Sequence, residues 1–376
     1  MENSKFDLVR LMTTVFQPKA GERVGVFIDL EDPQTVHNAG FLAAANHGTR
    51  RIAYEVFYRG LLEKKRELPF ASVEFYAYEP TGGSNLDLPE TVVDLNGKTR
   101  RLVEDVLSHL NIVLYLSTYS ATAPITALAK RMGFRGATTM HGCNETILNT
   151  GLARDYAEVS AKAERFRQAL TRCDKVVIEF ETLGHKHQLT LELGGQEAQK
   201  SHGLCRTPGE IANLPAGEIY WVPTGAQGEF PLKFKEDGTL ASMEVGNLRV
   251  RNAILLRGKA ATVQQALALV KEDPATGELG ELGLGTQVLP FAGADIQDEK
   301  VLGTVHVATG RDDHLGGNLD PSKFKDKRHA THEDILFSPH KTPEIRLRHV
   351  VMHKDGKEVL LIQDYEPTEF VKQVAL

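Results

Sequence analysis

Apolar residues fall into two textures along this chain. Through the first 173 positions, short unbroken apolar runs alternate with stretches of helical period. RVGVFID (23–29), VEFYAY (73–78) and NIVLYL (111–116) read as buried strands, with helices expected at 35–49, 54–67, 101–110 and 122–132. A continuous apolar run marks a strand covered on both faces, whereas apolar positions three and four apart mark a helix with one buried stripe. Strands alternating with helices predict a mostly parallel sheet. The stretch TILNTGLARDYAEVSAKAERFRQALTRC (146–173) is amphipathic with little to interrupt it after Gly151, and is expected to be the helix that closes this region.

From DKVVIEF (174–180) onward the apolar residues alternate with polar ones. HQLTLEL (187–193), EIYWV (218–222), NAILLRG (252–258), GTVHVA (303–308) and EVLLIQD (358–364) read as short strands, separated by turn sequences such as PAG, EDG and KDG. That texture predicts an antiparallel or barrel-like β region. One helix is expected at TVQQALALVKE (262–272), ahead of the glycine-rich GELGELGLGT (277–286). The expected fold is an α/β amino-terminal domain with a mostly parallel sheet over 1–173, followed by a β-rich α+β domain over 174–376.

At 376 residues the chain exceeds the size at which a single core stops growing, in keeping with two domains. Net charge is −6, and the basic clusters LEKKREL (62–68) and KFKDKRH (323–329) are short and mixed with acidic or apolar residues, so no nucleic-acid surface is expected. Cys143, Cys173 and Cys205 are far apart and form no CxxC pair, which points to reduced thiols in a cytoplasm-like compartment. The start MENSKFDLVRLMTTVF lacks a long apolar core, and no run approaches the roughly 20 apolar residues needed to span a bilayer. A soluble, cytoplasmic protein without membrane contact is expected.

The residues able to carry chemistry lie in the second half. NLPAGEIYWV sets Glu218 where a turn becomes a strand, GELGELGLGT sets Glu281 among glycines, and GTVHVATG sets His306 between two core valines. In THEDILF, His332 and Asp334 stand two apart, so an extended chain projects both from one face. Three carboxylates and two imidazoles beside glycine or on apolar strands are many polar groups to bury without a purpose. Paired His–carboxylate hydrogen bonding in the core would explain some of them; metal ligation would explain all.

In order and spacing, NLPAGE, ELGLGT, GTVHVA and HED resemble the aminopeptidase T / aminopeptidase S family of metallopeptidases. LVRLMTTVFQPKAGERVGVFI, DKVVIEFETLGHKHQLTLEL and RTPGEIANLPAGE carry the likeness over most of the chain, diffusely at first and sharply in the second half. The resemblance implies that Glu218, Glu281, His306, His332 and Asp334 hold a pair of divalent ions. A donor set without thiolate suits Zn, Mn or Co. Such a pair polarises a scissile carbonyl and lowers the pKa of a bridging water, and one ion also holds a free amino group. The implied reaction is hydrolysis of an amino-terminal amide in a small peptide or similar small molecule, with Glu281 or its neighbour Glu278 shuttling the proton. The resemblance also implies a homodimer.

Two features cut across that reading. The family's peptidases carry a tyrosine beyond the third ligand, where this chain reads Asp312, Asp313 and His314 in what is expected to be a solvated loop. A second branch of the same fold, the iron-dependent dioxygenases that open 2,5-dihydroxypyridine, uses one Fe(II) on two histidines and a carboxylate. That branch has a histidine in place of Glu281 and lacks His306, so the hydrolase is the first reading and the Fe(II) dioxygenase the alternative. Elsewhere, ELGLG does not open a helix after a strand as a dinucleotide fingerprint requires. His185 and His187 are expected in an exposed turn. TTMHGCNET is expected to start a helix capped by Thr139 or Asn144, with a Cys143–His141 nucleophile as a remote alternative and Glu145 nearby.

Overall fold

The computed structural model describes residues 5–43, 48–138 and 142–375. They form two compact units. The first comprises Met1–Ser160, His202–Ala216 and Ala294–Gln297, and the second Ala161–Ser201, Gly217–Gly293 and Asp298–Leu376.

Strands are numbered in chain order. The first unit is built on a sheet of Arg23–Asp29 (β1), Ser72–Tyr78 (β2), Thr91–Asp94 (β3), Thr99–Arg101 (β4), Ile112–Tyr115 (β5), Arg135–Thr138 (β6) and Ile211–Asn213 (β10). Its order is β10-β6-β5-β1-β2-β3-β4, parallel from β10 to β2 and antiparallel at the β3–β4 edge. β5 and β6 are buried along their whole length, as strands covered on both faces must be. Around them, Leu8–Val15 starts at Asp7, whose side chain accepts from the Arg10 amide. Thr122–Met132 stops at Gly133, left-handed at φ +83°, where glycine bears no Cβ penalty.

Two helices differ from expectation. Asn38 and Ala39, at φ +52° and +55°, break Pro33–Ala43 into 3-10 turns, so no continuous helix runs over the described part of 35–49. The described chain is helical from Gly48 to Glu63. The long helix expected over 146–173 is split into Glu145–Asn149 and Tyr156–Leu170. Gly151 lies in the gap, packed so closely that a Cβ there would come within 2.4 Å of Gln297 Oε1 and 2.6 Å of Pro215. Its amide donates to that Gln297 oxygen at 3.1 Å, a tertiary bond that replaces a helical one.

The second unit holds two antiparallel sheets. One joins Arg249–Arg257 (β14), Leu240–Gly246 (β13), Gly225–Lys233 (β12), His185–Glu192 (β8), Lys175–Thr182 (β7), Ile345–Lys354 (β18), Lys357–Gln363 (β19) and Glu366–Pro367 (β20). The other runs β17-β16-β15-β11-β9, with Gln199–Ser201 (β9), Glu218–Trp221 (β11), Leu279–Gly285 (β15), Val305–Gly310 (β16) and His332–Phe337 (β17). β7 alternates buried and half-buried residues, the pattern of a sheet with one face on a core. Ile219, Trp221, Leu282, Leu284, Val305, Val307 and Phe337 from the smaller sheet join one hydrophobic core with residues of the larger. Phe180 and Phe337 meet across it with ring centroids 4.5 Å apart. The glycine-rich stretch, which has no strand-like alternation, is β15, buried throughout. Among the described residues no helix is long and apolar enough to cross a membrane.

Candidate metal centre

The register of the smaller sheet decides which side chains share a face. Glu218 lies opposite Gly285 and Tyr220 opposite Gly283, and Gly283 in turn lies opposite His306. Asp334 pairs with Ala308, and His332 with Gly310. Because side chains alternate along a strand, Glu218, Tyr220, Glu281, His306, His332 and Asp334 all project from one face while the core residues project from the other. The sheet is thus amphipathic in an unusual sense: its second face is polar yet largely shielded. Glu218, Glu281, His306 and His332 are no more than 5% exposed. Asp334 keeps 34% of its side chain exposed and marks the open side.

Small residues make the face possible. A Cβ on Gly283 would sit 2.0 Å from His306 Cε1, so only glycine lets that imidazole lie over the neighbouring strand. A Cβ on Gly285 would meet the Val301 carbonyl at 2.1 Å and the Glu299 carbonyl at 2.8 Å. Glycine there admits the 299–301 segment directly above the sheet. Gly283→Ala is accordingly expected to displace His306, cost about 1–3 kcal/mol of stability through overpacking, and lower bound metal. Metal content and thermal unfolding of the variant check this; wild-type values for both would refute the packing argument.

Within the cluster, His332 Nε2 lies 3.0 Å from Glu281 Oε2 and 3.3 Å from Asp334 Oδ1. Its Nδ1 lies 2.6 Å from the Arg311 carbonyl, a bond that fixes the ring's orientation and turns Nε2 toward the carboxylates. His306 Nε2 lies 3.5 Å from Glu281 Oε1 and 3.8 Å from Glu218 Oε2. Donor atoms in three groups lie within 4.8 Å of one another: Glu218, Glu281 and His306; Glu281, His332 and Asp334; Glu299, His306 and Asp334.

The electrostatics ask for a cation. Burial opposes charge on His306, yet Glu281, then Glu299 and Glu218, outweigh it and push the imidazole up to about 9. His332 is raised well above its ordinary value against the same burial, by Asp334 and Glu281. Burial would raise Glu281, but the two imidazoles draw it down to about 2. Protons thus take the positive role among these acids, and a divalent ion would displace them. The donor set fits one: carboxylates and imidazoles, no thiolate, atoms convergent on one shielded spot.

Three residues that sequence reasoning passed over belong here. Tyr220, two residues beyond Glu218, is raised above its ordinary pKa by burial and by the Glu281 and Glu218 charges. Its signal was present in the i, i+2 spacing. Lys300 is fully buried, its Nζ 2.6 Å from Glu218 Oε2 and 2.6 Å from Glu299 Oε1. Burial raises Glu299 to about 7, with Lys300 pulling the other way. The run Asp298–Lys300 is buried, and its backbone passes close over Gly285.

Other candidates lie elsewhere. Glu278 is held by Arg249 through Nε at 2.7 Å and Nη2 at 2.6 Å, on the lining of a separate cavity of about 780 Å³. The 312–314 loop is not solvated as expected. Asp312 is buried and accepts from the Leu319 amide at 2.7 Å, and Asp313 pairs with Arg311 at 2.6 Å. His314 packs edge-on to His332 with centroids 5.0 Å apart, and burial drives its pKa well below the ordinary value. His185 is exposed, but His187 is buried on β8 with Nδ1 3.1 Å from Ser242 Oγ, because strand alternation turns it inward. Asn144 caps Glu145–Asn149 by accepting from the Ile147 amide. Burial pushes the Cys143 thiol up to about 12, which removes it as a nucleophile near neutral pH. His141 and Thr139 lie outside the described residues. All three cysteines are buried and free.

No protein-family model matches the chain, and no characterised protein matches it in sequence. Solved structures do match. The 2,5-dihydroxypyridine dioxygenase from Pseudomonas putida KT2440 superimposes with a TM-score of 0.59 over 98% of each chain, at 14% identity. Wild-type AmpT from Thermus thermophilus superimposes with a TM-score of 0.54 over 96% of this chain and 98% of its own, again at 14% identity. The likeness is one of fold. Both matches span nearly the whole chain.

Proposed function

We propose that the protein is a metal-dependent hydrolase that cleaves an amide, with an amino-terminal peptide bond as the expected substrate. The observation that carries this is the shielded sheet face on which Glu218, Glu281, His306, His332 and Asp334 converge with no thiolate among them. A facial triad for Fe(II) oxygen chemistry uses two imidazoles and one carboxylate. The group of Glu281, His332 and Asp334 sets two carboxylates against one imidazole, whereas Glu281 with His332 and His306 would match that triad. All five residues together offer three carboxylates to two imidazoles, a set that suits Zn or Mn.

A bound divalent ion supplies Lewis acidity toward the scissile carbonyl and toward a water. Glu281, central to the cluster, accepts the proton released from that water. Tyr220 supplies the phenol that the family motif would place after the third ligand, donating to the developing oxyanion from the same sheet face. Asp334, on the open side, meets the substrate's amino terminus first. A homodimer belongs to the same proposal.

The test is to purify the protein without chelators and assay amino-acid amides and dipeptides. Turnover lost on chelation and restored by Zn, Mn or Co, equally with and without oxygen, is expected. Oxygen uptake with ring opening of a dihydroxypyridine would move the assignment to the dioxygenase. Tyr220→Phe is expected to lower kcat by about 10²-fold with metal content unchanged; an unaltered kcat would remove the phenol from the mechanism.

A further inference from the structure

The centre has two ends. At one, Glu281, His332 and Asp334 bring donor atoms within 4.8 Å of one another. At the other, Glu218 and Glu299 flank His306, and there the space is taken. The Lys300 side chain has no exposed surface, and its Nζ stands 2.6 Å from Glu218 Oε2 and 2.6 Å from Glu299 Oε1. Glu218 Oε2 is the same oxygen that faces His306 Nε2, at 3.8 Å. An ion ligated by these carboxylates would need their oxygens at about 2.0–2.2 Å, and that volume holds the ammonium.

We infer that the centre takes one divalent ion, on Glu281, His332 and Asp334, and that the Lys300 ammonium is a built-in cation filling the second position between Glu218 and Glu299. This rests on reading the cluster as a metal centre.

Three observations support it besides the distances. Lysine is almost never fully buried unless paired, and Lys300 is paired twice, so its place is specified by the fold. The segment that carries it is fixed: Gln287 donates its amide to the Lys300 carbonyl at 2.8 Å, and Gly285 gives 299–301 the room to pass. A fixed, desolvated positive charge also repels a divalent ion brought to the same carboxylates. The ammonium differs from an ion in one functional respect. It has no open coordination position for water or substrate, so activation of both falls to the Glu281 end.

The test is to count metal on the full chain, first by elemental analysis after purification without chelator, then by calorimetric titration of stripped protein with Zn²⁺ or Mn²⁺ alone. One ion per chain is expected. Two ions per chain would overturn the inference and leave the hydrolase reading standing; none would overturn both. Lys300→Ala vacates the second position, and its metal count is expected to rise from one to two. A count that stays at one would show that the lysine does not exclude the second ion. Should that variant fail to fold, Glu218→Gln and Asp334→Asn decide: the first is expected to keep one ion and the second to lose it. The reverse pattern would place the ion at the Glu218 end and refute the assignment.

Discussion

Glu281→Ala is expected to lower turnover by about 10³-fold or more and to strip the bound metal. Glu281 belongs to two of the three donor groups and is the carboxylate that reaches both imidazoles, His332 Nε2 at 3.0 Å and His306 Nε2 at 3.5 Å. Alanine removes a ligand, the proton acceptor and the charge that holds both rings in place. His306 would lose the first of the partners that raise it, and His332 would keep Asp334 alone. Glu281→Gln separates these effects. It keeps the size and one acceptor oxygen but not the charge, so metal should weaken while the fold holds. The measurement is metal per chain beside kcat for both variants. Turnover that survives Glu281→Ala would remove this residue from the chemistry and the hydrolase reading with it.

Arg135→Met is expected to destabilise the first unit by about 3 kcal/mol, which for a unit of this size lowers the unfolding midpoint by about 6–12 °C. Arg135 is buried at the start of β6. It donates to both carboxylate oxygens of Glu22, at 2.7 and 2.8 Å, and to the Phe16 carbonyl at 3.0 and 2.8 Å. One side chain therefore ties the end of the first helix and the entry to β1 to the sheet. Methionine fills similar volume but leaves the Glu22 carboxylate and the Phe16 carbonyl without that donor, and unpaired polar groups in a shielded place are costly. Burial works to raise the Glu22 carboxyl, yet Arg135 and the Lys19 amide carry it below its ordinary value. A carboxyl depressed on folding contributes stability that is present above its unfolded pKa and lost as pH falls through its folded one. The loss caused by Arg135→Met should thus be full at neutral pH and shrink in acid below about pH 4. Equal destabilisation at pH 7 and pH 3 would assign the role of Arg135 to packing alone.

Much of the centre is legible in the chain because strands obey a period of two. His332 and Asp334 share a face by spacing alone, and Glu218 at a strand start and Glu281 among glycines stand out as polar residues in apolar surroundings. The alternation of strand and helix in the first half and of apolar and polar residues in the second likewise announces a parallel sheet and antiparallel ones, since each pattern reflects how many faces a strand buries. In two places distant contacts overrule local pattern. The 146–173 sequence has the period of a helix throughout, but Gln297 captures the Gly151 amide and the helix breaks. The glycines of 277–286 lower strand propensity, yet β15 forms because His306 and the 299–301 backbone need the space that side chains would fill. Hydrophobic period and turn chemistry are local properties, so the sequence fixes which stretches favour helix or strand and which side chains of a strand share a face. That Lys300 is buried against Glu218, that Tyr220 and His314 stand beside the cluster, and that Glu278 turns to Arg249 depend on which distant segments pass within a few ångströms. That is settled by close packing between strands far apart in the chain, and only the tertiary structure contains it.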